Sequence, residues 1–288
     1  MIAIARFVLL SVVIVCASDP PPRLLGSTRT YEVATGDTLA SIASRAGIEP
    51  RTLARDNNVA VDVRLRPGAR LVLDNRHIAP DGYTEGLVLN VPQRMLFVFS
   101  KGEAIQAFPI AVGRAAWRTP LGTFAVNAKE VDPVWEVPSS IQREMEAAGR
   151  RVLTRVGPGP ENPLGRHWLG LTLPGVGIHG TNQPGSIFRF TTHGCVRMHP
   201  DDIATLFDMV EIGTAVQLIY QPVLVATDAG AVFVEVHPDV YGRTGSLAVR
   251  TAELLGQYLL DHLVTDAARA RLVADRVGRA VEIYSPPR

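Results

Sequence analysis

At 288 residues, with 47% apolar and 20% charged side chains, the chain is long enough for a buried core and for two domains. Its apolar content and formal charge of +1 exclude a disordered chain, and 25 Gly, 21 Pro and 2 Cys exclude a collagen-like or disulfide-stapled scaffold. The near-neutral balance argues against a nucleic-acid binder, which carries a basic excess; that only Lys101 and Lys129 are lysine among the 29 basic residues reads as coding bias.

Residues 1–17 carry one charge, Arg6, and an apolar run from Phe7 to Val15, with small Ala17 at the end, the pattern of a signal peptide. A membrane span needs about 20 apolar residues. Ser18, Asp19 and the prolines Pro20, Pro21 and Pro22 interrupt this run, and no second one of that length follows. The expectation is an exported, soluble mature chain without a transmembrane span. Lipidation at Cys16 is the lesser alternative, because Val15 is bulky where a lipoprotein signal prefers a small residue. Once Cys16 is removed, Cys195 has no internal disulfide partner. A lone thiol in an oxidising compartment is a candidate reactive group, although the count alone reads at least as well as a buried, inert cysteine.

Residues 18–29, Pro-rich and then polar, read as a tether. Over residues 30–74, Tyr31-Glu32-Val33 alternates as a strand, Asp37 or Thr38 can cap a helix through Leu39, Ile42 and Ala43, and Gly47 turns into a second helical stretch ending at Asn57-Asn58. Leu65-Arg66-Pro67-Gly68 is a turn and Leu71-Val72-Leu73 a closing strand. This βααβ unit resembles a LysM module through Tyr31, Val33, Gly36-Asp37-Thr38-Leu39, Ile42-Ala43, Leu53, Asn57-Asn58, Pro67-Gly68 and Leu71. The resemblance implies binding of the N-acetylated glycan strands of peptidoglycan in a groove near Gly36–Leu39 and Arg64–Pro67, with Gly36, Asp37 and Thr38 as candidate contacts.

Residues 75–85 read as a linker. Short strands follow at 87–91, 95–99, 107–112 and 122–126, with a last one at 214–220; they predict a mainly β domain, sandwich or barrel-like, with short helices over 139–149 and 201–210. The tail 223–288 reads as a helical C-terminal extension, one strand at 232–236 followed by helices over about 246–262 and 266–278.

The chemistry concentrates in Gly177-Ile178-His179-Gly180-Thr181 and Thr191-Thr192-His193-Gly194-Cys195-Val196-Arg197-Met198. A cysteine near its free pKa of ~8.5 is only a few per cent thiolate at neutral pH. An imidazole nearby can take the proton and hold the thiolate as an ion pair, and glycine before the nucleophile lets backbone N–H groups form an oxyanion hole. With Thr119-Pro120-Leu121-Gly122-Thr123-Phe124 and Gly159-Pro160-Glu161-Asn162-Pro163-Leu164-Gly165 upstream, residues 86–222 resemble the YkuD-type L,D-transpeptidase catalytic domain, in its periplasmic ErfK-like branch. The resemblance implies Cys195 as nucleophile, His179 as its base, the Gly180 carbonyl as the group that orients His179, and Gly194 and Cys195 N–H groups with His193 at the oxyanion hole. Thr192 stands at the motif's Ser/Thr position as a substrate-side candidate. Arg197 is expected to brace the loop or meet a substrate carboxylate. No cofactor and no metal is implied.

The implied reaction is a two-step acyl transfer: Cys195 releases D-Ala from a stem tetrapeptide, and an amine on a second stem peptide or on an outer-membrane protein resolves the thioester. Susceptibility of Cys195 to carbapenems is implied as well. Residues 127–168, with Trp135 and Trp168, are either a lid or ordinary packing. Hydrolysis by the same thiol (an L,D-carboxypeptidase or endopeptidase) and a non-catalytic wall-binding protein stand as alternatives. A zinc set of His179, His193, Cys195 and His199 is disfavoured by its spacing; His77, His167, His237 and His262 read as surface or structural residues.

Overall fold

The computed structural model describes residues 24–286; the expected signal peptide and Cys16 lie outside them. The amino-terminal unit folds through local signals visible in its sequence. Thr38 and Ser41 cap helix α1 (Leu39–Ala46) reciprocally, each hydroxyl accepting the other's backbone N–H at 3.0 Å. Gly47 ends α1 in the left-handed region at φ +69°, and Pro50 sits at the first position of α2 (Pro50–Asp56), where no amide proton is needed. Strands Thr28–Glu32 and Arg70–Asp74 pair antiparallel beside the helices, burying Leu39, Ile42, Ala43, Leu53, Leu71 and Leu73. The order is the expected β-α-α-β.

The central domain is a closed β structure. Its eight-strand ring runs Glu103–Gly113, Val196–Met198, Gly177–His179, His167–Leu171, Gly122–Val131, Ala215–Ile219, Gly86–Asn90, Met95–Ser100 and back to Glu103–Gly113. Phe190–Thr192 adds a ninth strand, parallel to the end of Glu103–Gly113. The long strand closes the ring because its first part pairs with Met95–Ser100 and its last residues with Val196–Met198. Closure removes the exposed edges that an open sheet leaves. Leu89, Leu96, Ile110, Val126, Leu169, Ile178, Val196 and Met198 fill the interior, and α4 (Pro200–Met209) covers it with Ile203 and Leu206. Helix α3 (Ser139–Ala147) buries none of its residues.

Three segments depart from the sequence reading. The tether is strand from Leu24: Leu24–Leu25 pairs antiparallel with His77–Ile78. The supposed linker is therefore structural too, with His77, Ile78 and Ala79 buried; Pro80, Asp81 and Gly82 mark a turn, but the partners that bury the preceding residues come from far along the chain. The C-terminal extension is a three-stranded antiparallel sheet (Val223–Asp228, Ala231–Val236, Val281–Tyr284) under α5 (Leu247–Gln257) and α6 (Asp266–Asp275), with its own core of Val225, Val234, Leu255 and Leu272. Both helices stop short of their expected ends. Leu259 follows α5 at φ +57°, and Arg276 caps α6 in the left-handed region.

The three units meet at Glu235, which has no exposed surface. Its carboxylate takes the His77 Nδ1 proton and the His237 Nε2 proton, each at 2.7 Å, the Gln93 amide at 3.0 Å and the Ile78 N–H at 2.6 Å. His77 also gives Nε2–H to the Gly47 carbonyl at 2.9 Å. Both His77 nitrogens thus face acceptors. Burial alone raises a carboxyl pKa; here the His77 charge, with hydrogen bonds from His237 and His77, outweighs it and holds Glu235 well below the usual range. The last residues of the chain reach back as well. Arg279 bonds Asp56 at 2.8 Å and Asp74 at 3.0 Å, the Val277 carbonyl accepts the Thr52 hydroxyl, and the Ala280 N–H meets the Arg76 carbonyl. Among the described residues no helix is long and apolar enough to cross a membrane.

Candidate active site

Strands Gly177–His179 and Val196–Met198 are parallel neighbours, with Ile178 opposite Val196 and His179 opposite Arg197. Ile178, Val196 and Met198 point into the core. Strand alternation therefore turns His179 and Arg197 to the other face, and Cys195, one residue before Val196, belongs with them. The half-buried thiol lies 3.5 Å from the Gly175 carbonyl.

The His179 ring is buried, with Nδ1 2.7 Å from the carbonyl oxygen of Gly180. A carbonyl only accepts, so Nδ1 carries the proton and Nε2 is the basic nitrogen. Trp168, the cross-strand partner of His179, stacks on the ring with centroids 5.8 Å apart and planes at 24°. Its indole crosses the backbone of Gly177, where a Cβ would stand 2.5 Å from Cζ2 and Cη2. Trp168 thus backs the base; Trp135 sits elsewhere, in a short ribbon with Val156. Gly177→Ala is expected to destabilise the fold by about 1–3 kcal/mol through overpacking and to shift the indole off His179. Urea unfolding and tryptophan fluorescence check this; wild-type values in both would show that the bare glycine shelf is not required.

Burial pushes the His179 pKa down to about 3, helped by the Arg197 charge and opposed by the carbonyls of Gly180 and Leu164. Burial pushes the Cys195 thiol up, offset in part by the Gly177 N–H and by Arg197. Taken group by group, both directions favour a thiol and a neutral imidazole at rest over a thiolate–imidazolium pair. Both groups lie where the charged form loses hydration, a circumstance that residue identity does not reveal.

Arg197 donates from Nη1 to the Ser186 hydroxyl at 2.8 Å, bracing the turn Pro184–Ser186. That turn in turn receives α1 of the amino-terminal unit, whose Ser44 hydroxyl lies 3.2 Å from the Pro184 carbonyl and 3.1 Å from that of Ile187. Thr192 uses its hydroxyl inside the nucleophile loop: it donates to the Cys195 carbonyl at 2.6 Å and accepts the Gly194 N–H at 3.3 Å. Gly194 itself has φ +117°, open to glycine alone at little cost. His193 turns toward three residues that the sequence did not single out, Arg114, Trp117 and Glu144. No local pattern marks them, since Glu144 sits among Gln142, Arg143 and Glu146 on a polar helix. His199 caps α4 through the Asp201 N–H and faces Arg45 at 3.3 Å.

In the amino-terminal unit Asp37 accepts the Tyr31 hydroxyl at 2.7 Å and the Ala34 N–H at 2.8 Å, and Thr38 caps α1. Their side chains shape the loop. Gly36, at φ +89° with open space beside it, lines a groove with Arg64 and Pro67.

Residues 84–224 match the L,D-transpeptidase catalytic domain (YkuD), and residues 31–74 match the LysM domain. The chain is 35% identical over 223 residues to the "Probable L,D-transpeptidase ErfK/SrfK" of Salmonella typhimurium, covering 75% of this chain and 71% of that protein. It is 30% identical over 253 residues to the "Probable L,D-transpeptidase YbiS" of Escherichia coli K12, covering 86% and 80%. Among solved structures, the L,D-transpeptidase from Mycobacterium smegmatis aligns over 69% of this chain and 98% of that one, at 20% identity and a TM-score of 0.39. With the catalytic-domain match spanning the strands that carry His179 and Cys195, and a second match ahead of it, the chain belongs to the YkuD family of L,D-transpeptidases and carries an N-terminal LysM domain.

Proposed function

We propose that the protein works outside the cytoplasm on peptidoglycan, holding glycan strands in the groove near Gly36 and exchanging peptide bonds at Cys195. The observation that carries this reading is the paired strands that turn Cys195, Arg197 and His179 to one face, with the His179 proton fixed on Nδ1 by Gly180. His179 Nε2 takes the thiol proton as the sulfur attacks the carbonyl between the third residue of a stem tetrapeptide and its terminal D-Ala. The S–C bond forms, the C–N bond breaks, and the imidazolium returns the proton to the departing D-Ala amine. An amine of a second stem peptide, or of an envelope protein, then attacks the thioester. Its proton passes to His179 and on to the sulfur, restoring the thiol.

Because His179 is neutral at rest, the proton moves only as the sulfur commits to the carbonyl, and developing charge on oxygen calls for backbone donors at the nucleophile turn. The Gly194 N–H that the resemblance assigns there is held by Thr192 at 3.3 Å, a long bond that a better acceptor can displace. Incubation of the protein with a stem tetrapeptide, followed by mass spectrometry, is expected to reveal a thioester on Cys195, free D-Ala and cross-linked dimers. A carbapenem is expected to label the same residue. Cys195→Ala is expected to abolish all of these. Tripeptide without dimers would favour hydrolysis, and no adduct on Cys195 would overturn the reading.

A further inference from the structure

His193 lies next to the nucleophile turn, and its Nε2 meets two groups at once: Glu144 Oε2 at 2.9 Å and Arg114 Nη2 at 3.0 Å. Arg114 Nη2 is also 2.5 Å from Glu144 Oε1. Arginine only donates and a carboxylate only accepts, so Glu144 takes the Arg114 N–H on one oxygen and faces His193 Nε2 with the other, while Nε2 lies between that acceptor and the Arg114 donor. The two contacts hold Nε2 at one place and so fix the orientation of the His193 ring. Trp117 covers the ring at 5.4 Å between centroids. Arg114 and Trp117 belong to a loop wound tightly around Gly113, where a Cβ would stand 2.0 Å from the Trp117 carbonyl oxygen. Tyr241 of the C-terminal extension pins that loop, giving its hydroxyl proton to the Gly113 carbonyl at 2.7 Å and accepting the Thr119 N–H at 3.0 Å. Helix α3, by contrast, buries nothing of its own, so the bonds of Glu144 tie an otherwise superficial helix to the nucleophile turn.

We propose that Glu144 is a positioning residue for the acyl-transfer reaction: through Arg114 and His193 it joins the seating of α3 to the orientation of the ring beside Gly194 and Cys195. With α3 seated, His193 is held in one rotamer. With α3 lifted, the ring is released and the corner that receives the tetrahedral oxygen loosens.

The inference rests on the reading of Cys195 as nucleophile, and its test separates the two. The rate of Cys195 acylation by a carbapenem, followed by intact mass in single turnover, is compared for the wild type, Glu144→Ala, His193→Ala and the double variant. Misplacement of a supporting group is worth up to about 100-fold, so Glu144→Ala is expected to slow acylation about 10- to 100-fold with apparent affinity within about twofold. Glu144→Gln, which keeps an oxygen to face Nε2, is expected to recover part of the rate. The double variant is expected to be no slower than His193→Ala alone, because Glu144 has no target once the ring is gone. A purely structural anchor would instead multiply the two losses and leave Gln no better than Ala. Multiplying losses, or a Glu144→Ala rate equal to wild type, overturns the inference. Absence of any adduct on the wild type overturns the nucleophile reading itself.

Discussion

Replacing His179 with alanine is expected to slow acylation of Cys195 by about 10²- to 10⁴-fold at neutral pH, the range that a positioned general base supplies. The pH dependence should be the more telling result. In the wild type the imidazole pKa is pushed down to about 3, so the base is already deprotonated throughout the accessible range. Acylation should then be flat from pH 5 to pH 8, with no inflection near 6.5, the value of a free histidine. In His179→Ala the sulfur must ionise on its own, and burial raises its pKa. Its rate should climb about tenfold per pH unit, so the gap between the two proteins narrows as the solution becomes alkaline. Stopped-flow acylation across this range checks both limbs. A wild-type rate that rises with a midpoint near 6.5 would mean a solvated base and would contradict the burial argument.

Glu235→Ala is expected to cost about 3–5 kcal/mol, the usual loss when one partner of a buried charge pair is removed. That is a large share of the roughly 5–15 kcal/mol that holds a folded domain together. The variant leaves His77 Nδ1, the Ile78 N–H, the His237 ring and one Gln93 contact without their acceptor. Since folding lowers the carboxyl pKa, the stabilisation is full above the ordinary value of about 4.3 and drains away as the pH falls below it. Wild type and variant should therefore converge in acid. Urea unfolding at pH 7 and in steps down to about pH 2 measures both; a difference under about 1 kcal/mol at neutral pH would rule out the junction as a principal support.

Elements set by neighbouring residues were legible in the sequence, and those set by distant partners were not. Thr38, Gly47 and Pro50 mark the amino-terminal helices by themselves, because caps and turns are satisfied within a few residues. The motif around His179 and Cys195 was legible for a related reason: a nucleophile turn needs Gly194 and a hydroxyl at 192 in fixed order. Other features escaped. Val223–Asp228 and Val281–Tyr284 become strands through pairing with Ala231–Val236, and nothing local distinguishes the second from the end of a helical tail. Trp168 was visible as an aromatic, but its place against His179 follows from a cross-strand register that no spacing rule supplies. The protonation states escaped too, since they depend on burial, which is a property of the finished fold.

The bonds from Val277, Arg279 and Ala280 to Thr52, Asp56, Asp74 and Arg76 separate the order of synthesis from the order of assembly. The amino-terminal module can form its helices as soon as it leaves the ribosome, but its moorings at Val277 are translated 225 residues after Thr52. Contacts this remote in sequence are slow to close. The newborn chain can therefore seat its front module on the Pro184–Ser186 turn first, and the seating is completed only once residues 277–280 have been made.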